Sequence, residues 1–399
     1  MTRNIPIWLA LAAGSMVLSI AVGLRQSLGL FIPPMSVDLA LTGGTIGLAI
    51  AIQNLLWGAT QPFAGMVADR FGTGRVVAVG AVFYALGLFY LARANDAAEV
   101  YFSAGILVSL GLSGAGFSIV FGAVGRLVPA EMRSLAGGIV SAGGSFGQFA
   151  LAPIGQKLIT DRGWSVALAI FASFALLLLP MAWLLRGKPA APTSSTQSLG
   201  RAIVIAARDP SYWLINAGFF VCGFHVAFVA TYLPGMTSLC LLPAAVGAQA
   251  LALIGLFNIA GSFLAGYLGG HYKMKWLLSA IYLIRAVAIA VFLGAPKTRT
   301  TFLVFACVLG FTWLGTVPLT SGLVGTRFGP RYLASLFGVV FFSHQVGAFF
   351  GAWLGGRYFD LTGNYDGVWK IAIWLALVAA IIHLPIRERA IELEPVPAL

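Results

Sequence analysis

Apolar residues run so continuously along this 399-residue chain that most of it cannot have water as its solvent. Twelve predominantly apolar stretches follow one another, at about residues 7–32, 44–68, 74–93, 99–125, 134–156, 163–185, 211–237, 244–268, 275–294, 301–325, 333–356 and 367–386. Each is near or above the roughly 20 residues that an α-helix needs to cross a hydrocarbon core. In lipid every backbone N–H and C=O must be satisfied internally, and a helix does this within its own segment. Only 9% of residues are charged, against about 25% in a soluble domain. The sequence therefore predicts an all-α membrane protein with twelve transmembrane helices.

The formal net charge of +12 raises nucleic acid as a partner, but the basic residues are spread over the loops in ones and twos and form no stripe. Topology accounts for them better. With both termini in the cytoplasm, fifteen of the 24 Lys and Arg fall inside and seven outside, while Arg25 and Arg285 lie within spans. That bias is the positive-inside pattern, and it points to a bacterial cytoplasmic (inner) membrane, with lipid as the surrounding partner and no nucleic acid. The first span lacks a small-residue cleavage site after a short apolar run, so it reads as a retained helix. The three cysteines, Cys222, Cys240 and Cys307, have no metal or redox spacing, and neither a metal nor a cofactor is expected.

Sliding the chain by 201 residues superposes Pro33 on Pro234, Met35 on Met236, Ala64-Gly65 on Ala265-Gly266, Arg126 on Arg327, Pro129 on Pro330, Ser134-Leu135 on Ser335-Leu336 and Gly137 on Gly338. One offset serving four helix pairs means two pseudo-symmetric six-helix bundles, residues 1–185 and 211–399. A polar, cytoplasmic linker at 186–210 joins them, with Pro189 and Pro192 ahead of the basic segment Arg201 to Arg208. Parallel six-helix halves are a transporter plan, with the substrate site near the midplane between them. Catalysis would want a nucleophile with a base, or a metal cluster, on facing helices. The polar residues offer no such spacing, so no enzyme is expected.

Between the second and third spans stands Gly65-Met-Val-Ala-Asp69-Arg70-Phe71-Gly72-Thr-Gly-Arg75. This resembles the signature loop of the major facilitator superfamily, and the likeness covers essentially the whole chain. The resemblance implies the major facilitator fold, a gating role for Asp69, Arg70 and Arg75 at the cytoplasmic surface, and a central path lined by the first, fourth, seventh and tenth helices. Capping of the helix ends is the plainer role for Asp69 and Arg70. The second half keeps only Gly266-Tyr-Leu-Gly-Gly-His271-Tyr-Lys273-Met-Lys275, without the acid.

Arg25 stands alone in the first span, where an arginine costs about 2.5–3.5 kcal/mol on insertion scales, so such residues face a protein interior or a wet cavity. Its mate under the offset is Val226, next to His225, and the two polar groups are candidates to converge on one ligand. Gln53, Asn54, Trp57, Gln148, Asn258, His344 and Gln345 are further mid-span candidates for substrate contact, and Phe117 and Trp313 for apolar walls. Each has a structural alternative as interhelical glue or packing. By the resemblance Arg285 lies on an outer helix, and it is expected to pair with backbone carbonyls or a polar neighbour inside the second bundle, with a substrate role as the alternative.

All twelve acids fall in loops, tails or helix ends. Exchangers of cations place a carboxylate mid-membrane; here a guanidinium stands there, and its planar fork matches a carboxylate. The Arg25-Gln26-Ser27-Leu-Gly-Leu-Phe-Ile-Pro-Pro run and the stretch from His344-Gln345 to Gly356 look most like bacterial monocarboxylate and oxalate/formate porters. A monomer that moves a small anionic substrate by alternating access, with protons or by exchange, is the expectation. The alternative is an exporter of a neutral or aromatic compound, with Arg25 structural and Trp57, Phe117 and Trp313 as the main contacts.

Overall fold

The computed structural model describes residues 6–127, 133–185, 199–329 and 333–391. The side chains of Asp69, Arg126, Ser134 and Leu135, together with Pro129, Pro330 and residues 186–198 of the linker, lie outside the described residues. Twelve long helical rods succeed one another: α1 (Ile7–Asp38), α2 (Gly43–Phe71), α3 (Thr73–Leu91), α4 (Ala97–Val124), α5 (Arg133–Arg162), α6 (Trp164–Leu184), α7 (Pro210–Leu239), α8 (Ala244–Gly269), α9 (Met274–Gly294), α10 (Arg299–Phe328), α11 (Leu333–Thr362) and α12 (Asp366–His383). Among the described residues ten are apolar and long enough to cross a membrane; α2 and α5 match them in length but carry more polar side chains. Those two helices run along the boundary between the halves, which is where polar groups find partners instead of lipid. Part of the expected linker is helical: Leu199–Ala207 forms a short helix ahead of Asp209, whose carboxylate caps α7 at the Ser211 amide, 3.2 Å away.

Local chemistry explains where the rods depart from ideal helix. Pro33 and Pro34 have no N–H, and their rings press on the carbonyls four residues back, Gly29 and Leu30. The chain answers with a 3₁₀ turn over Leu28–Phe31 inside α1. At Gly72 the backbone is left-handed (φ 93°), ending α2 and starting α3 in one residue, a turn that glycine makes without strain. α4 contains a π segment, Tyr101–Leu107, and breaks at Gly116, whose ψ of 174° is extended. α10 breaks after Phe311 and resumes at Thr316. Under the 201-residue offset the two breaks nearly coincide, and paired interrupted helices are where transporter folds build their sites.

Packing repeats the internal symmetry. α1 lies along α5 as α7 lies along α11, α2 and α8 flank α4 and α10, and α3 and α9 pack on α6 and α12. A Cβ at Gly147 in α5 would sit 1.9 Å from the Ser19 carbonyl oxygen of α1, and one at Gly347 in α11 would sit 1.9 Å from that of Phe220 in α7. Ser19 and Phe220 are mates under the offset, so both halves are pinned by the same backbone approach. Across the boundary α2 meets α11 and α5 meets α8.

That boundary is closed at one end and open at the other. Near the far end, Asp360 of α11 accepts from Thr42 Oγ1 (2.7 Å) and from the Gly44 amide (3.2 Å), at the start of α2. Cβ atoms at Gly356 and Gly47 would lie 2.5 Å from Gly44 Cα and 1.8 Å from the Tyr232 hydroxyl. Burial and the neighbouring Asp360 carboxylate push the Tyr365 phenol at this end above its ordinary range. Midway, Gly58 still rests on the side chains of Gln345 and Phe342, and Gly255 on Phe149 and Ser145. One two-turn step further along the same stripes, Gly65, Gly138 and Gly338 meet nothing within 4 Å among the described residues, and Gly266 of α8 is equally free of them. The halves therefore part toward the end that carries the α2–α3 loop.

Candidate functional site

Arg25 sits on α1 at the level where the halves begin to separate. Its Nη1 donates to Gln26 Oε1 (2.9 Å) and its Nη2 to Asn54 Oδ1, while Nε is buried without a partner. The Trp57 ring lies 5.3 Å from the guanidinium carbon, within cation–π range. Leu28, Gly29 and Ile50 of the first half and Ala227, Ala230 and Thr231 of α7 complete a narrow cleft around it. The cation is thus held by two neutral amides and an aromatic face, in a crevice shared by both halves. Such an arrangement orients a guanidinium without neutralising it.

The same level carries the polar contacts that join the halves. Gln345 of α11 donates to the Asn54 carbonyl (3.4 Å), and Phe341 stands edge-on to Trp57 with ring centroids 5.6 Å apart. Trp57 Nε1 is held by Gln61 Oε1 at 2.8 Å. Between α5 and α8, Gln148 donates to the Leu251 carbonyl (3.1 Å) and Asn258 to Ser145 Oγ (2.9 Å). Asn258 Oδ1 also accepts from the Leu314 amide (2.9 Å) in the break of α10. Phe117, half-buried just after the break in α4, packs on Phe121.

Several residues that the sequence grouped with these lie elsewhere. His225 does not meet Arg25: its Nε2 bonds the Ala372 carbonyl of α12 at 2.9 Å, buried inside the second bundle. One residue of register turns a helical side chain by about 100°, and the α7 face toward Arg25 is Ala227, Ala230 and Thr231. Gln53 likewise points into its own bundle, donating to Ala104 (2.8 Å) in the π segment of α4. Trp313 is fully buried, and its carbonyl accepts from Arg285. Arg285 also donates to Thr312, so this guanidinium satisfies carbonyls freed by the interruption of α10. The imidazole of His344 turns from Arg25 toward Phe219, 4.8 Å between centroids, and stacks on Phe341. Arg70 and Arg75 are exposed at the parted end, Arg70 lying over Phe71 at 5.3 Å.

Two features escaped the sequence. The Thr42–Asp360 closure joins residues 318 positions apart, and nothing local marks it. Cys222 is wholly buried, with Sγ 3.1 Å from Thr316 Oγ1, and it faces both His344 and Arg285. The offset that superposes the halves gives it only Ala21 as a mate, so the repeat carried no signal.

Proteins of similar sequence include Monocarboxylate transporter 13 of Rattus norvegicus, 26% identical over 399 residues, covering 95% of this chain and 89% of that protein. The Oxalate:formate antiporter of Oxalobacter formigenes is 23% identical over 394 residues, covering 94% and 89%. Among solved structures, the D-xylose-proton symporter superposes with a TM-score of 0.74 at 15% identity, covering 96% of this chain and 97% of that one, a likeness of fold. The family model described as Major Facilitator Superfamily matches residues 9–352, and the chain belongs to that superfamily of membrane transporters.

Proposed function

We propose that this transporter carries a small organic anion of the monocarboxylate type across the cytoplasmic membrane by alternating access, linked to protons or by exchange. Arg25 is the observation that carries the reading. Its guanidinium is held by neutral amides at the inter-half boundary and keeps an unpartnered Nε. A carboxylate entering the cleft gains charge-assisted, bidentate hydrogen bonds that Gln26 and Asn54 cannot supply. Asn54, Trp57 and Gln345 complete the contact set, and the names of the two relatives point to the same chemical class. With both termini in the cytoplasm, the parted end faces inward, and Asp69, Arg70 and Arg75 secure that end when it closes.

The test is thermal stabilisation of the purified protein by formate, oxalate, lactate and benzoate, each beside its neutral amide. A ligand bound to the folded state at 100 times its Kd stabilises by about 2.7 kcal/mol. At least one carboxylate raises the midpoint while its amide does not. Equal stabilisation by benzamide and benzoate, or by amides alone, would instead support the exporter of neutral or aromatic compounds.

A further inference from the structure

We propose that His344 is the group that binds and releases the transported proton, and that the bond from Gln345 to Asn54 ties its protonation to the arrangement of the two halves. This rests on the reading that an anion passes Arg25. The hydrogen-bond pattern fixes the tautomer. The Asn54 carbonyl can only accept, so the Gln345 group that bonds it at 3.4 Å is the NH₂. The other end of that amide, Oε1, then accepts from His344 Nδ1, 3.0 Å away. Nδ1 therefore carries hydrogen in the neutral ring, and Nε2 presents a bare lone pair. Nε2 is buried and meets no strong hydrogen-bond acceptor among the described residues, the Cys222 thiol being the remaining polar group against the ring of a residue 7% exposed.

The other histidines of the spans lack this link. His225 and His383 bond carbonyls within the second half, Ala372 and Ala379, and no contact between the halves sets their tautomers. Around His344, α7 contributes Cys222 and Phe219, α9 contributes Arg285 beside Cys222, and α10 contributes Thr316 and Trp313. On the opposite side Asn54 of α2 stands between Gln345 and Arg25 of α1. Among the described residues, Cys222, Arg285 with Tyr282 of α9 beside it, and Arg25 are thus the titratable or charged groups disposed about the imidazole.

In the arrangement with the α2–α3 end parted, Nε2–H would find no acceptor better than the Cys222 sulfur, a weak one, so this is the proton-released state. When the halves rock, α2 and α11 separate elsewhere along their length, the Gln345–Asn54 bond opens, and the amide and imidazole are free to turn. Nε2 then takes a proton from water in the newly opened side, forming imidazolium, and returns it to water when the bond re-forms.

Full-length protein in lipid nanodiscs, labelled with ¹⁵N and ¹³C histidine, tests this without any substrate. The chain has four histidines, and the His344→Gln difference spectrum assigns the signal. Expected is an Nδ1–H tautomer in the neutral ring, protonation of Nε2 on acidification, and a mixed tautomer in Gln345→Ala. An Nε2–H tautomer in the neutral ring, or an imidazole that stays neutral throughout, overturns the proposal. In proteoliposomes His344→Gln lowers accumulation of ¹⁴C-lactate driven by an imposed pH gradient relative to lactate exchange in the same vesicles; an unchanged ratio overturns it. If the wild type moves no lactate, the carboxylate reading is what fails, and the spectra still decide for or against His344.

Discussion

Arg25→Ala is expected to lose carboxylate-dependent stabilisation and uptake while the unliganded protein unfolds close to the wild-type midpoint. Truncating one partner of a buried, hydrogen-bonded charge pair costs about 2–5 kcal/mol of binding, which is roughly thirtyfold to several-thousandfold in affinity. Against that, the unliganded variant sheds a cation whose mid-span placement costs about 2.5–3.5 kcal/mol. It leaves Gln26 Oε1 and Asn54 Oδ1 without their donor, at about 1–3 kcal/mol for each buried acceptor left unsatisfied. The two stability effects largely offset each other, so a small change in the unliganded midpoint marks a binding arginine and a large fall marks a structural one. Arg25→Lys keeps the charge but not the planar fork, and falls between wild type and alanine. Uptake of lactate into proteoliposomes, with melting in the same detergent, checks all three proteins.

Asp209→Ala is expected to be among the most destabilising single changes in the chain. Arg327, 8% exposed at the end of α10, donates through Nε and Nη2 to both oxygens of Asp209, itself 7% exposed. The same guanidinium reaches the carbonyls of Arg387 (2.8 Å) and Arg389 (3.2 Å) beyond α12. One ion pair therefore locks the start of α7, the end of α10 and the segment after α12. Removing one member of a buried pair costs about 3–5 kcal/mol because the other charge is left uncompensated. The alanine also loses the α7 cap, worth about 1 kcal/mol. Combining it with Arg327→Leu recovers much of the loss, since the stranded charge is gone. Denaturation midpoints of the two single variants and the double variant, run as a cycle, measure the coupling.

The reach of the sequence can be judged residue by residue. Hydrophobic length and the constant offset made the twelve helices and their pairing legible, because bilayer thickness and backbone satisfaction leave a chain this apolar few alternatives. Arg25, Trp57, Gln148, Asn258 and Gln345 were legible as mid-span polar groups, and all five lie at the boundary between the halves. Depth, however, does not fix rotation. Gln53 is one residue from Asn54, yet it bonds α4 while Asn54 bonds Arg25. The same 100° step carries His225 to Ala372 and away from Arg25, because the offset aligns Arg25 with Val226 and says nothing of which face α7 turns inward. The glycine spacing in α2, from Gly44 and Gly47 through Gly58 to Gly65, held that information. It marks the stripe that α11 touches, and Asn54 stands on it. Arg285 behaved as an outer-helix tie because the break in α10 frees carbonyls beside it.

The central claim, an anion lodged against Arg25 between the halves, is tested most directly by locating a brominated carboxylate. Crystals of the full chain grown with 3-bromopropionate, measured at the bromine edge, report the position of the bound molecule. The account predicts anomalous density in the cleft among Arg25, Ile50, Ala227 and Thr231, with the carboxylate engaging the guanidinium and Asn54 released from it. Bromine found only elsewhere, with Arg25 still donating to Gln26 and Asn54, would contradict it.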